Sequence, residues 1–167
     1  MKDVYAAAER LMGMSNETWR RHASPWSVYT RMLTLPFLAL AIWSRVWIGV
    51  WAWAAVAVVI AWVLLNPRAF PPPASLDNWV SRGVLGERVF LRRRNEVAGH
   101  HRVWATILTT ASALGAVVLG LGLWWLDLAW TVFGTILTMG SKIWFVDRMV
   151  WLYGEWLRDT GRELGDV

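Results

Sequence analysis

Three long uncharged runs constrain what this chain can fold into. Residues 46–65 and 103–126 carry no charged side chain, and a third run extends from Leu128 to Ser141, just before Lys142. About 20 helical residues cross the roughly 30 Å hydrocarbon core of a bilayer, so an apolar run of 18 or more residues is a candidate span. A single run of this kind could be the buried helix of a soluble protein. Two runs of this length and a third, shorter one in 167 residues indicate a polytopic membrane protein.

A fourth apolar segment, residues 26–43, is less regular, because Arg31 lies near its start and Pro36 lies inside it. Two interpretations remain open. Either the Arg31 side chain extends to the headgroups and completes a short span, or the segment is re-entrant. A full span brings the total to four. The predicted spans are then residues 26–43, 47–65, 104–126 and 128–147.

The basic residues agree with four spans. All of the 17 Lys and Arg residues except Arg45 then lie on the side of the two termini. Basic loops face the cytoplasm in membrane proteins, so this pattern predicts a multi-pass protein of a bacterial or archaeal cytoplasmic (inner) membrane, with both termini inside. Topology accounts for the net charge of +5, and no nucleic-acid partner is needed. Anionic lipid headgroups are the partner that such a surface attracts.

Tryptophan is frequent, with 15 residues, and its positions follow the predicted membrane boundaries. Indole rings favour the level of the headgroups, where one part of the ring is apolar and the N–H can be hydrated. In this topology two belts form. The outer belt holds Trp43, Trp47, Trp124, Trp125 and Trp130, and the inner belt holds Trp26, Trp79, Trp104, Trp144, Trp151 and Trp156. A pigment or quinone stacked on Trp43, Trp47 and Trp51 is the alternative interpretation.

The predicted fold class is all-α: a polytopic transmembrane four-helix bundle with short interfacial amphipathic helices. The predicted parts are an N-terminal cytoplasmic amphipathic segment (1–25), a membrane domain (26–153) with a cytoplasmic loop (66–103), and a C-terminal cytoplasmic tail (154–167). Residues 3–12 and 75–94 are the predicted interfacial helices, since apolar and charged positions alternate there at helical spacing. Gly83 and Gly86 argue against one continuous helix in the second of them.

Span three carries small residues at four-residue spacing, namely Ser112, Ala116 and Gly120. Small residues on one helix face let two membrane helices approach closely. We interpret this face as an intramolecular seam, with a homodimer contact as the alternative.

Histidines and carboxylates on the cytoplasmic side suggest a metal site. His100 and His101 are candidate ligands for zinc or iron, with His22, Glu87 and Asp147 completing the coordination sphere. Adjacent histidines project about 100° apart on a helix, however. The alternative is a set of titratable residues at the membrane interface. The sequence contains no cysteine, so thiolate metal sites are excluded.

The stretch KIWFVDRMVWLYGEW, residues 142–156, leaves the membrane at Asp147 and Arg148. Helical spacing places Arg148 on one face with Trp144 and Trp151, where a guanidinium can lie against indole rings. Asp147 faces elsewhere and is expected to pair with Arg82 or Arg88 of the loop. This ion pair is either purely structural or part of a site for an anionic headgroup or polar substrate. The predicted binding residues are Arg68, Asp77, Asn78, Arg82, Arg88, Trp144, Arg148 and Trp151, and the catalytic candidates are Asp147, Glu87 and His100.

The segments SNETWRRHASPWSVYTRM, NPRAFPPP, DNWVSRGVLGERVF and KIWFVDRMVWLY together resemble an uncharacterised family of small prokaryotic four-span membrane proteins, a domain of unknown function. The likeness covers roughly residues 15–153. It implies a self-contained helical bundle, and it supplies no reaction, ligand or cofactor.

Two functional classes follow. The leading prediction is a non-catalytic membrane module: an accessory subunit that contacts lipid or a cofactor, or a binder of a small ligand. Its partners would be the bilayer and either another membrane protein or a second copy of the chain. The alternative is a membrane enzyme, metal-dependent or not, that acts on a lipid-like substrate at the cytoplasmic face.

Overall fold

The computed structural model describes residues 21–165, which are almost entirely helical and contain no strand. The predicted helix at residues 3–12 and most of the segment 1–25 lie outside this range. The α-helices within it are α1 (Pro25–Met32), α2 (Thr34–Trp43), α3 (Arg45–Ile48), α4 (Ala52–Ala69), α5 (Trp79–Arg92), α6 (Gly99–Trp125) and α7 (Leu128–Thr160). Short 3₁₀ turns lie at Gly49–Trp51 and Arg94–Glu96.

The predicted first span consists of two consecutive helices, α1 and α2, with a break at Leu33. Pro36 has no N–H to donate to the carbonyl of Met32, so the helical hydrogen-bond ladder is interrupted there. The chain then reverses through residues 44–51, where Gly49 has a φ of 56° that L side chains rarely adopt.

Helices α1 and α2 form a hairpin with α4, and its two ends are joined by hydrogen bonds. The Ser27 hydroxyl donates to Asn66 Oδ1 at 2.9 Å, and Asn66 Nδ2 donates to Thr30 Oγ1 at 2.7 Å. Ser27 and Asn66 are both fully buried. A buried carboxamide with satisfied hydrogen bonds fixes the register of the two arms.

Helices α6 and α7 form a second, antiparallel hairpin. Leu126 adopts a left-handed conformation, and Asp127 caps α7 by accepting a hydrogen bond from the Trp130 N–H at 3.0 Å. Arg45 from the first hairpin donates to the carbonyl oxygens of Leu123 and Trp124. Both reversals therefore lie at one end of the molecule, which we call the turn end (residues 44–51 and 125–127). The opposite end, which contains α5 and residues 21–24, is called the polar end.

The seam between α6 and α7 differs in detail from the predicted one. The Cα of Gly115 faces the backbone of Thr138, and that of Gly122 faces Thr131, so closely that a Cβ would clash. Ala116 and Gly120 are exposed instead. On a helix with 3.6 residues per turn, each residue of a series spaced by four is rotated by about 40° from the one before, so the series leaves the contact face. Residues separated alternately by three and four positions stay on one face.

Helix α5 is continuous despite its two glycines, and it begins where Asn78 accepts a hydrogen bond from the Ser81 N–H at 2.9 Å. Gly83 and Gly86 lie against α7, where Cβ atoms would come within 2.5 Å of Val146 and 2.0 Å of Met149. The glycines therefore permit close helix packing rather than ending the helix. The apolar face of α5 is buried against α7 and the start of α1.

The main hydrophobic core lies near the polar end, between α5, α6 and α7. Val89, Met149, Leu152 and Tyr153 are among its most buried members. Helix α7 runs past the predicted span end at residue 147 to Thr160 because these last turns contribute to this core.

Two segments in residues 21–165 are long and apolar enough to cross a membrane. They are Pro25–Asn66, which is the first hairpin, and Gly99–Trp125, which is α6. Only 11% and 28% of their most apolar windows are buried. The core helix of a soluble protein would bury most of such a window, so these apolar faces are turned outward.

Candidate functional site

Four polar side chains from four segments meet at the polar end, and we call them the basic cluster: His22, Arg31, Glu87 and Lys142. Arg31 Nη1 donates to the His22 ring, at 2.6 Å from Nδ1, and also contacts Nε2. Lys142 Nζ lies 3.2 Å from Glu87 Oε1. His22 and Arg31 also act electrostatically on Glu87, so the four groups form one charged site.

The basic cluster carries an excess of positive charge. Burial, followed by the positive charge of Arg31, lowers the pKa of His22 to about 3, so its ring is neutral at pH 7. For Glu87, burial raises the pKa, but the positive charges of Lys142 and Arg31 and the hydrogen bond from Lys142 oppose it, and the pKa stays below its usual value. Two cations therefore face one carboxylate among the residues that the structure describes.

Two cavities follow one another between α2 and α7. The first, of about 230 Å³, lies beside the basic cluster and is lined by Arg31, Lys142, Ser112, Thr138 and apolar side chains of α2 and α7. The second, of about 510 Å³, lies closer to the turn end and shares no lining residue with the first. It is almost wholly apolar, with Leu40, Trp43 and Trp47 on one side and Val132 and Ile136 on the other. We call the two cavities together the α2–α7 groove.

A second cluster, His100, His101 and Glu155, joins the first turn of α6 to α7. His101 Nε2 lies 2.8 Å from Glu155 Oε2, and His100 Nε2 lies 3.5 Å from the same oxygen. The hydrogen bond from His101 lowers the pKa of Glu155, partial burial opposes this, and the charges of both histidines lower it further. His101 is buried, whereas His100 is exposed.

The five predicted metal ligands do not meet at one point. His100 and His101 lie together, but their carboxylate partner is Glu155, which is not one of these five residues. His22 and Glu87 belong to the basic cluster. Asp147 accepts a hydrogen bond from Trp79 Nε1 at 3.0 Å. Each of the three catalytic candidates therefore contacts a different partner. Asp147 contacts Trp79, Glu87 contacts Lys142, and His100 contacts Glu155.

The loop residues also have partners other than those expected. Arg82 forms an ion pair with Asp77 at 2.7 Å, so it does not pair with Asp147. Asn78 caps α5, and Arg68 donates to the carbonyl of Leu64 one turn earlier at 3.3 Å. Arg88 is buried on α5.

Arg148 lies between the indole rings of Trp151 and Trp104, and helical spacing along α7 predicts the first of these two contacts. Its guanidinium carbon is 5.6 Å from the ring centroid of Trp151 and 5.6 Å from that of Trp104. Trp144, the other predicted neighbour, packs against Trp104 with a centroid distance of 5.5 Å. The contact with Trp151 is therefore confirmed, and Trp104 is an additional partner from α6.

Sequence reasoning missed Arg31 and Glu155 as site residues. Arg31 is read from the sequence only as a charge that reaches the headgroups, and nothing local indicates that it contacts His22. A signal for Glu155 exists, because its spacing from Trp151 and Arg148 places it on the same face of α7.

Comparison with known proteins identifies a family but no relative of known activity. No curated protein and no solved structure matches the chain significantly. The profile of the Family of unknown function (DUF6653) matches residues 3–162, nearly the whole length. This confirms the resemblance to an uncharacterised family, and the chain belongs to DUF6653.

Proposed function

We propose that this protein crosses the membrane four times and binds an anionic phospholipid of the bilayer. The headgroup would lie at Arg31 and Lys142, and an acyl chain would lie in the α2–α7 groove. The observation that carries this proposal is the excess positive charge of the basic cluster at the head of an apolar groove.

The hairpin geometry supports four crossings. Pro25–Asn66 is too long for a single crossing, and its ends meet through Ser27 and Asn66, so it would cross twice. The α4 arm of 18 residues is about 27 Å long, close to the roughly 30 Å hydrocarbon core. Helix α6 spans about 40 Å over 27 residues, and α7 runs beside it in the opposite direction.

The outer surface supports the same arrangement. Large apolar side chains such as Phe37, Val58 and Val117 point outward along the arms. Soluble monomers rarely expose a contiguous apolar patch of more than a few hundred Å². Exposed tryptophans lie near both ends, for example Trp124 at the turn end and Trp151 toward the polar end. Since the basic residues concentrate at the polar end, this end would face the cytoplasm.

Single-cysteine labelling tests the topology without background, because the chain has no cysteine of its own. Ser44→Cys and Trp125→Cys lie at the turn end, and Ala74→Cys and Thr160→Cys lie at the polar end. In intact cells, a membrane-impermeant maleimide is expected to label the first pair only. After lysis, it should label both pairs. Labelling of one residue from each pair in intact cells would contradict four crossings.

The charges favour an anionic ligand over a zwitterionic one. Arg31 and Lys142 each have a donor beside the smaller cavity, and Glu87 neutralises only one of the two charges. Ser112 and Thr138 add hydroxyl groups to the lining. Phosphate oxygens accept hydrogen bonds from guanidinium, ammonium and hydroxyl donors, and charge-assisted bonds are the strongest of these.

The size of the groove favours a ligand with a chain. From Lys142 to Leu128, both of which line it, α7 rises about 21 Å. One leaflet of the hydrocarbon core is about 15 Å thick, so the groove is long enough for an acyl chain. The volume of about 510 Å³ for the apolar cavity lies within the range of about 300–1,000 Å³ that ligand sites occupy.

Lipid titration tests the proposed ligand. Native mass spectrometry of the detergent-purified chain is expected to show saturable binding of phosphatidylglycerol and weaker binding of phosphatidylcholine. Lys142→Gln and Arg31→Gln should each lower the affinity for phosphatidylglycerol at least about tenfold. A charge-assisted hydrogen bond contributes about 1.5–3 kcal/mol, and 1.4 kcal/mol corresponds to a factor of ten.

Arg102→Gln is the matched control. Arg102 is an exposed cation near the start of α6, at the polar end, and it does not line the groove. It should bind phosphatidylglycerol as the unmodified chain does. Equal losses in all three variants would indicate general surface attraction, and equal affinity for the two lipids would overturn the proposal.

A further inference from the structure

We infer that His100, His101 and Glu155 form a binding site for one divalent transition-metal ion, for which zinc is the best match. The site would join the first turn of α6 to the last turns of α7. It lies apart from the α2–α7 groove, shares no residue with it and does not depend on the proposed function.

The positions of the three ligand atoms already approximate a coordination sphere. Zinc binds histidine nitrogen and carboxylate oxygen at about 2.0–2.2 Å, which places neighbouring ligand atoms of a tetrahedron about 3.4 Å apart. The nitrogen–oxygen distances here are 2.8 Å from His101 and 3.5 Å from His100, and all three ligand atoms lie within 4.8 Å of one another. Small side-chain rotations would bring them to the required spacing.

The adjacency of the two histidines is not an obstacle in this fold. Although neighbouring Cβ atoms project about 100° apart on a helix, the two imidazole rings lie side by side, with centroids 4.1 Å apart and planes tilted by 41°. Both Nε2 atoms face the same carboxylate oxygen of Glu155. The site therefore depends on α7, which the sequence pattern around His100 does not include.

The chemistry of the three groups suits zinc better than the alkaline-earth ions. Two imidazoles and one carboxylate form a mixed nitrogen and oxygen ligand set, whereas calcium and magnesium require mostly oxygen ligands. Three protein ligands leave a fourth position for water.

Of the two histidines, His101 is held in place by packing, and His100 leaves the site accessible to an ion from solution. His101 is nearly fully buried, with 4% of its side chain exposed, so its position is set by packing. The His100 side chain is 57% exposed, which leaves the site open to solution on one side. A bound ion would link two helices at the polar end, where the chain has its main hydrophobic core.

Metal titration of the intact detergent-solubilised chain tests this inference. The protein is purified without a polyhistidine tag, treated with a chelator and titrated with Zn²⁺ by calorimetry, and a parallel sample receives Co²⁺. We expect one ion per chain and the visible absorption bands of tetrahedral Co²⁺. Loss of a ligand should weaken binding at least about 100-fold, which exceeds the roughly 10–100-fold effect of outer-shell partners.

His100→Ala is the decisive variant, because His100 is exposed and its removal leaves the buried pair of His101 and Glu155 intact. Glu155→Gln should give a comparable loss. Asp159→Asn is the matched control, since Asp159 is an exposed carboxylate one turn further along α7 and should leave the affinity unchanged. An unmodified chain that binds no Zn²⁺ stoichiometrically, or a His100→Ala variant that binds it equally well, would overturn the inference.

Discussion

Replacing Gly86 with alanine is expected to destabilise the protein by about 3 kcal/mol, near the upper end of what overpacking of a core usually costs. The new Cβ would lie 2.0 Å from the carbonyl oxygen of Met149 and 2.7 Å from its carbonyl carbon. Both atoms belong to the backbone of α7, so no side-chain rotation relieves the contact. Helix α5 would have to move away from α7 and lose the packing of Val89 and Phe90 against Met149.

Two other glycines provide matched controls for this effect. At Gly83 the closest atom is the Cγ1 of Val146, a side-chain atom that can move, so Gly83→Ala should cost less than Gly86→Ala. At Gly120 a Cβ meets nothing within 4 Å, so Gly120→Ala should be neutral or stabilise the helix by up to about 1 kcal/mol. Thermal unfolding in mild detergent measures all three, and about 3 kcal/mol corresponds to a fall in Tm of about 6–12 °C. Equal Tm values for the Gly86 and Gly120 variants would contradict the docking of α5 on α7.

The sequence predicts the presence of the helices more accurately than the residues at which they begin and end. The uncharged runs locate α4, α6 and the apolar first part of α7, because a continuous apolar stretch of that length has few other folds available. The break at Leu33 follows from Pro36, whose position is visible in the sequence but whose effect depends on the local path of the chain. The extension of α7 to Thr160 depends on tertiary packing of Leu152, Tyr153 and Trp156, which no local pattern specifies.

The candidate sites are less predictable, because each is assembled from separate helices. His22, Glu87 and Lys142 are recognisable as polar residues at one predicted membrane boundary, but only the packing of α1, α5 and α7 brings them together with Arg31. Likewise, His100 and His101 suggest a metal site from their residue type. Their carboxylate partner is Glu155 rather than Glu87 or Asp147, because the antiparallel arrangement of α6 and α7 places the start of one helix beside the end of the other.

Acidification from pH 7.5 to pH 5 is expected to remove about 2 kcal/mol of stability through His22 alone. Burial and the positive charge of Arg31 lower the pKa of His22 to about 3 in the folded protein, whereas the unfolded chain has the ordinary value of 6.5. Below pH 6.5 the unfolded state therefore binds a proton that the folded state does not, and the free energy of unfolding decreases as the pH is lowered. The full contribution is present above pH 6.5. The loss accumulates at up to about 1.4 kcal/mol per pH unit until the folded protein is protonated as well.

Glu87 affects the stability at a lower pH than His22 does, so the contributions of the two residues can be measured separately. Because its folded pKa lies below the ordinary 4.5, its contribution is present above pH 4.5 and is lost only as the pH falls further. His22→Gln retains an acceptor for Arg31 but does not titrate, so its stability should depend less on pH between 7.5 and 5. Thermal unfolding of the two chains across this range gives the difference in slope, which cancels the effects of all other titrating groups. Identical slopes would mean that His22 takes up a proton in the folded state, and the basic cluster would then carry a second excess charge in mild acid.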